Sequence, residues 1–216
     1  MLVIDQTPNH ETETEQFIRD CKSRFPVRFR WQFVAKFNLP NARNVGTRMA
    51  SGEYLLFCDD VIIPPVNLIE LHMRNLTQTG VGAVTGSVFL KLRKRPPEPS
   101  ALRAFLSGQG RNRVSPCEIL PNGRFIEHWN YALPRCTTDS LRGCNMSVAR
   151  KLAFDVGLFD EGFIGDAHRE ETDFPLRVRR HGYQIKYDPE AAVVHLSHPD
   201  GGTRANHKTD AGKYYS

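Results

Sequence analysis

The chain has 216 residues, of which 40% are apolar and 25% charged, and its formal net charge is +5. That length can bury the core of one large domain, and the apolar runs are too short to span a bilayer. Five cysteines without a C-x-x-C pair (Cys21, Cys58, Cys117, Cys136, Cys144) argue against a zinc knuckle or a disulfide framework, and for reduced thiols in a cytoplasmic setting.

In chain order, LVID (2–5) reads as a strand, ETEQFIRDCKSRF (13–25) as a helix and RWQFVAK (30–36) as a second strand. PNARNVGTRMA (40–50) is a helix entered through Pro40, and EYLLFC (53–58) is a third strand. A helix over 65–80 follows, with Pro65 near its first turn and Gly80 past its end, then a strand over 81–92. Strands alternating with helices of this length predict an α/β domain built of βαβ units, with a Rossmann-like, mostly parallel central sheet. Such sheets bind ligands beyond the carboxyl ends of their strands, where Asp5 and the pair Asp59–Asp60 fall.

From Arg93 to Arg135 the pattern gives way to proline, glycine and arginine, an excursion long enough to suggest function, with a short helix expected at 100–107. It opens on the basic run KLRKRPP (91–97), with Arg103, Arg111 and Arg113 close behind. Such a cluster suits anionic lipid, phosphorylated substrates or simply a solvated loop. No nucleic-acid-binding signature accompanies it, so no nucleic-acid partner is expected, and residues 91–113 are the candidate for peripheral membrane contact. Regular structure returns as a strand passing into a helix (144–157), a helix ending on Gly182 (169–182) and two short strands (183–196), before a polar, glycine-rich tail.

Three separated patches carry acids and metal-compatible groups: Asp59–Asp60, Glu170–Glu171 with Asp173, and His195. Singly, each has an ordinary explanation as a solvated turn, a helix start favoured by the dipole, or a strand-terminal histidine. Their order and surroundings say more. ARNVGTRMASGEYLLFCDDVIIPP, LRGCNMSVARKLAFDVGLFDEGF and REETDFPLRVRRHGYQIKYDPEAAVVH together resemble the family 2 glycosyltransferases of GT-A fold, over about residues 1–205. The division expected is a nucleotide-binding half (1–92), the excursion (93–135), an acceptor and catalytic half (136–205) and a tail (206–216).

The resemblance implies transfer of a sugar from a nucleotide-diphosphate donor to the hydroxyl of a glycan or lipid-linked acceptor, with inversion. By the same resemblance Asp59, Asp60 and His195 hold a divalent cation, Mg2+ or Mn2+, against the diphosphate. The catalytic base falls on Glu171, within the acidic pattern Glu170, Glu171 and Asp173. Donor contacts are implied for Asp5, Arg43, Gly143 and Asn145 as well as Asp59 and Asp60. For Arg43 a helix-surface salt bridge is an equal alternative.

Three departures qualify the match. Val61 stands where relatives carry a third acid, which questions metal use. Glu171 replaces the commoner Asp. The chain also starts at what resembles the second strand of the fold, so an N-terminally truncated GT-A domain with two unpaired strand edges is expected. The competing readings are a degenerate nucleotide-sugar-binding module and, less in keeping with the motifs, a nucleotidyltransferase.

Overall fold

In a computed structural model, residues 1–24, 28–90, 115–129, 133–165, 167 and 169–196 are described. The first half alternates as the pattern predicts: β1 (Leu2–Asp5), α1 (Thr12–Arg24), β2 (Arg30–Phe33), α2 (Leu39–Met49), β3 (Tyr54–Cys58), the short β4 (Ile62–Ile63), α3 (Leu68–Leu76) and β5 (Val81–Leu90). The second half holds β6 (Cys117–Ile119), β7 (Phe125–Glu127), β8 (Cys136–Thr138), β9 (Asn145–Ala149), α4 (Arg150–Asp155), α5 (Glu170–Arg180) and β10 (Gln184–His195). Asn38 caps α2, its side-chain oxygen accepting the Asn41 N–H at 2.7 Å, and Pro40 sits in the first turn, where a missing N–H costs nothing. Helix α3 is shorter than the predicted 65–80.

The main sheet runs β3-β9-β5-β10-β4, with β8 also on β10. Strands β5 and β10 are parallel, whereas β9 runs antiparallel between β3 and β5, and β4 and β8 run antiparallel to β10. The sheet is therefore mixed, not mostly parallel. Strand alternation could not reveal this, because β9 comes back from the excursion and inserts between two strands that are already in place. Residues 184–195 form one strand interrupted by a register shift between Asp188 and Val193, where two short strands were expected. The excursion contains an antiparallel hairpin, β6–β7, while the helix expected at 100–107, the basic run and the tail lie outside the described residues.

The core packs α4 and α5 on one face of this sheet. Ala83, Met146, Val148, Ala153, Phe174 and Val178 are fully buried there, and Phe159 stacks on Phe174 at 4.2 Å between ring centroids. Strands β1 and β2 form a separate parallel pair. Among the described residues β1 pairs only with β2, and β3 only with β9, so each keeps one unpaired side. Helix α2 packs against β1, where Gly46 leaves room for Ile4, and reaches the main core through Asn44, whose side chain bonds the Phe159 carbonyl at 2.8 Å and N–H at 2.9 Å.

Candidate active site

The site forms where β3 ends. The two residues of β4 pair Ile62 with His195 and Ile63 with Val194, and the Leu196 N–H bonds the Val61 carbonyl at 2.8 Å. Val61 thus contributes a backbone clamp, not an acid. The irregularity in β10 depends on Gly86, where an added Cβ would lie 1.7 Å from the Ala191 carbonyl oxygen, so only glycine lets β5 and β10 come this close. The last residues of β10 are thereby placed beside the end of β3. His195 Nε2 stands 3.6 Å from Asp59 Oδ2, with the Asp59 side chain 39% exposed. Asp60 faces solvent.

A second strap comes from α5. Pro175 lies inside the helix and has no N–H to offer Glu171, four residues earlier. The freed Glu171 carbonyl instead accepts the Leu141 N–H at 3.1 Å and the Ser140 hydroxyl at 2.9 Å. This ties the start of α5 to the loop leading into β9. In that loop the Gly143 N–H donates to Glu171 Oε1 at 2.7 Å. A Cβ at Gly143 would lie 2.1 Å from the Arg43 guanidinium and 2.4 Å from Glu171 Oε1, so glycine lets both side chains close over the backbone. Arg43, projecting from α2, is buried and pairs with Glu170, itself 2% exposed.

One carboxylate, Glu170, pairs with the Arg43 guanidinium, and the charges of Glu171 and Asp59 act on it from further away. Burial, aided by the Glu171 and Asp59 charges, pushes the Glu170 carboxyl above its ordinary value against the pull of Arg43. Burial disfavours the Arg43 charge, but Glu170, Glu171 and Asp59 more than offset it and raise its pKa. One oxygen of Glu170 is buried without a hydrogen-bond partner. The Cys144 thiol is pushed up to about 12 by burial and then by Asp59 and Glu171. The same two acids thus act on one point of the loop from β3 and from α5.

Other candidate residues sit elsewhere. Asp173 turns away and pairs with Arg177 at 2.6 Å, which in turn bonds the Val156 and Leu158 carbonyls. Asn145 is wholly buried: its amide N–H groups go to the Ser87 and Ala191 carbonyls and its oxygen meets His72 at 2.9 Å. Asn145 ties α3, β5, β9 and β10 together and presents no free amide to a ligand. Asp5 ends β1, where Thr7 N–H, the His10 ring and Trp31 Nε1 occupy its oxygens at 2.6–3.0 Å, beside a cavity of about 180 Å³.

Sequence reasoning missed two features. Asp188, wholly buried in β10, takes hydrogen bonds from Arg74 at 2.8 Å, Asn75 at 2.5 Å and Arg135 at 3.3 Å. Trp129, just past β7, lies under the Arg142 guanidinium at 5.0 Å. No local motif announces either, since the partners are far apart in the chain.

Among the described residues no three His, Cys, Asp or Glu side chains converge into a ready cation cage. Asp59 and His195 nonetheless face each other as a carboxylate and an imidazole. A hard divalent cation that takes one or two protein ligands, and the rest from phosphate oxygens and water, fits such a pair.

The mixed sheet, the flanking helices and the acids at the strand ends define the chain's class: it has the GT-A fold of glycosyltransferases. Similar solved structures include GalNAc-T7 with UDP, GalNAc and Mn2+ (TM-score 0.67, 15% identity, covering 90% of this chain and 37% of that chain). Others are the mannosyltransferase PcManGT from Pyrobaculum calidifontis in complex with GDP-Man and Mn2+ (0.60, 16%, 93% and 48%) and S. aureus TarS 1–349 (0.58, 14%, 90% and 50%). This chain spans half or less of the length of each. No protein-family model and no curated protein matches it.

Proposed function

We propose that this chain is the catalytic domain of an inverting glycosyltransferase of family 2 type, moving a sugar from a nucleotide-diphosphate donor to an acceptor hydroxyl. The observation that carries this reading is that the Asp59–His195 pair, just past the Cys58–Asn145 end of β3, and Glu171, held on the Gly143 N–H, flank one loop of a GT-A fold. Asp59 and His195, with solvent-facing Asp60, are the groups that would hold a divalent cation. When bound, that cation neutralises charge developing on the leaving diphosphate.

Glu171 keeps one oxygen on the Gly143 N–H and has the other for the acceptor hydroxyl. It takes the hydroxyl proton as the acceptor oxygen bonds to the donor's anomeric carbon and the bond to the diphosphate breaks on the opposite face. The Gly143 N–H positions Glu171, and Arg43, paired with Glu170, puts a positive charge behind it. The Asp5 end of β1 is the candidate site for the donor base. The acceptor is a glycan or a lipid-linked sugar of cell-surface polysaccharide or glycoconjugate synthesis, met at the cytoplasmic face of a membrane.

Thermal unfolding with UDP, dTDP and GDP, each with and without Mn2+, tests this. A ligand at 100 times its dissociation constant stabilises a fold by about 2.7 kcal/mol. One nucleotide should raise the melting temperature in a Mn2+-dependent way. A cooperative transition that none of them moves would overturn the proposal, and a nucleotide shift without sugar transfer would favour the degenerate nucleotide-sugar-binding module, the reading that Val61 favours.

A further inference from the structure

We propose that Arg142, held over the Trp129 ring, is a subsite for an oxyanion carried by the acceptor, a phosphate or a carboxylate. The term acceptor rests on the transferase reading above; the anion site itself does not.

The position of Arg142 is set by its backbone. Its N–H bonds Thr85 Oγ1 on β5 at 3.0 Å and its carbonyl accepts the Asn145 N–H at 2.8 Å, so residues 142–145 form a fixed turn. Its guanidinium lies 5.0 Å from the Trp129 ring centre. Trp129 in turn packs edge-on against Tyr187 at 6.5 Å, and the Tyr187 hydroxyl is anchored on Ser87 at 2.6 Å. The stack is braced from indole to sheet.

What the guanidinium lacks is an acid. Arg43 and Arg169, also near the site, pair with Glu170 and Glu127. Arg142 pairs with no carboxylate among the described residues, and its Nε is buried without an acceptor. The half-buried guanidinium is thus left without a counter-charge, which an anion bound at its terminal nitrogens would supply. With its central carbon over the indole, the guanidinium has terminal N–H groups to offer two oxygens of a phosphate or carboxylate.

The side on which Arg142 lies argues for acceptor over donor. The ladder pairing Cys58 with Asn145 sets Asp59 against Cys144 on the β3 side of the loop. Arg142 is tethered to β5 at the other side, next to Gly143, which Glu171 grips. Its stacking partner Trp129 follows the β6–β7 hairpin, which Arg169 at the start of α5 fastens through Glu127 and Phe125. An acceptor whose hydroxyl reaches Glu171 from the hairpin side would bring its anionic group to Arg142.

The chain has two tryptophans, so Trp31→Phe leaves Trp129 as its sole indole. Its fluorescence is titrated at constant ionic strength with methyl phosphate, glucuronate and uncharged glucose. At least one anion should give a saturable response that glucose lacks, and which anion does so distinguishes phosphate from carboxylate. Arg142→Gln should weaken binding at least tenfold, and Arg142→Lys should restore part of it. Calorimetry on the protein with both tryptophans, against Arg142→Gln, gives the same readout should Trp31→Phe not fold. Equal responses to glucose, or indifference to Arg142→Gln, would overturn the proposal. So would full competition by UDP without Mn2+, which would place the site on the donor side. Should nucleotides fail to shift unfolding while the anion response persists, the transferase reading falls and the oxyanion site stands.

Discussion

Asp5 and Asp188 make a controlled pair: two acids of similar local satisfaction on unequal foundations. Asp188 is wholly buried within β10, between β5 and β8, and takes bonds from Arg74, Asn75, Arg135 and the Glu190 N–H. Asp5 has three donors and a side chain only 10% exposed, yet it ends a two-stranded sheet whose second strand is exposed at every residue. Two strands alone are marginal, and a sheet gains independent stability with three or more and a buried face. The difference teaches that the proposed base Glu171 stands on the main six-stranded sheet, and the candidate site for the donor base on the smaller two-stranded one.

The largest effect expected is catalytic and belongs to the six-stranded side. Glu171→Gln keeps an acceptor for the Gly143 N–H but removes the base, and should lower transfer by roughly 10²–10⁴-fold. Melting temperature and nucleotide binding should hardly move. Equal loss of both would show that Glu171 acts through the loop, not on the substrate. Asp5→Asn, on the other side, should raise the donor KM with little change in kcat.

Stability separates the two acids next. Asp188→Ala removes the buried acceptor shared by Arg74, Asn75 and Arg135, while both arginines keep Glu190, and should cost about 2–3 kcal/mol in denaturant unfolding. Asp5→Ala should cost about 1 kcal/mol. Similar costs would mean that the β1–β2 unit is as firmly built as the main sheet.

Acid titration sharpens the same contrast. For both acids burial alone would raise the pKa; for Asp188 the bonds from Arg74, Asn75, Glu190 N–H and Arg135 outweigh it, and for Asp5 those from Thr7 N–H, His10 and Trp31. A carboxyl depressed in the folded state adds stability above its unfolded pKa, about 3.9, and that stability is lost as pH falls through the lower folded value. Acid unfolding should therefore steepen below about pH 4, and Asp188→Asn should flatten that limb more than Asp5→Asn. Glu170, raised, has the opposite sign: its contribution is complete below the unfolded pKa and lost as pH climbs through the folded one.

Much of this was legible because it is local. Proline and glycine punctuation marked α2 and the entry to α3, and period and composition marked β1, β3 and β5. Asp59, Arg43, Gly143, Glu170, Glu171 and His195 were named through the family resemblance, and the structure places Arg43 on Glu170, Gly143 on Glu171 and His195 beside Asp59. What stayed hidden is long-range. Nothing near Asn145 reveals that His72, Ser87 and Ala191 consume its amide. Nothing in REETD reveals that Pro175 frees the carbonyl of Glu171 for Ser140 and Leu141 and that Asp173 turns to Arg177. The antiparallel course of β9 is a choice of tertiary pairing that no window of sequence contains.

The smallest effect expected tests whether the N-terminal unit is as open as it looks. Phe17 on α1 is 62% exposed, and Trp31, Phe33 and Phe37 nearby are also partly bare. In an isolated chain Phe17→Ser should change unfolding free energy by no more than about 0.5 kcal/mol, as for surface positions without special contacts. Phe174→Ala in the main core, by contrast, should cost about 3–5 kcal/mol. A loss above about 1.5 kcal/mol at Phe17 would require a cavity or a desolvated contact. That result would mean that another surface, such as a second copy of the chain, covers α1 in solution, and that the foundation under Asp5 is firmer than its two-stranded pairing indicates.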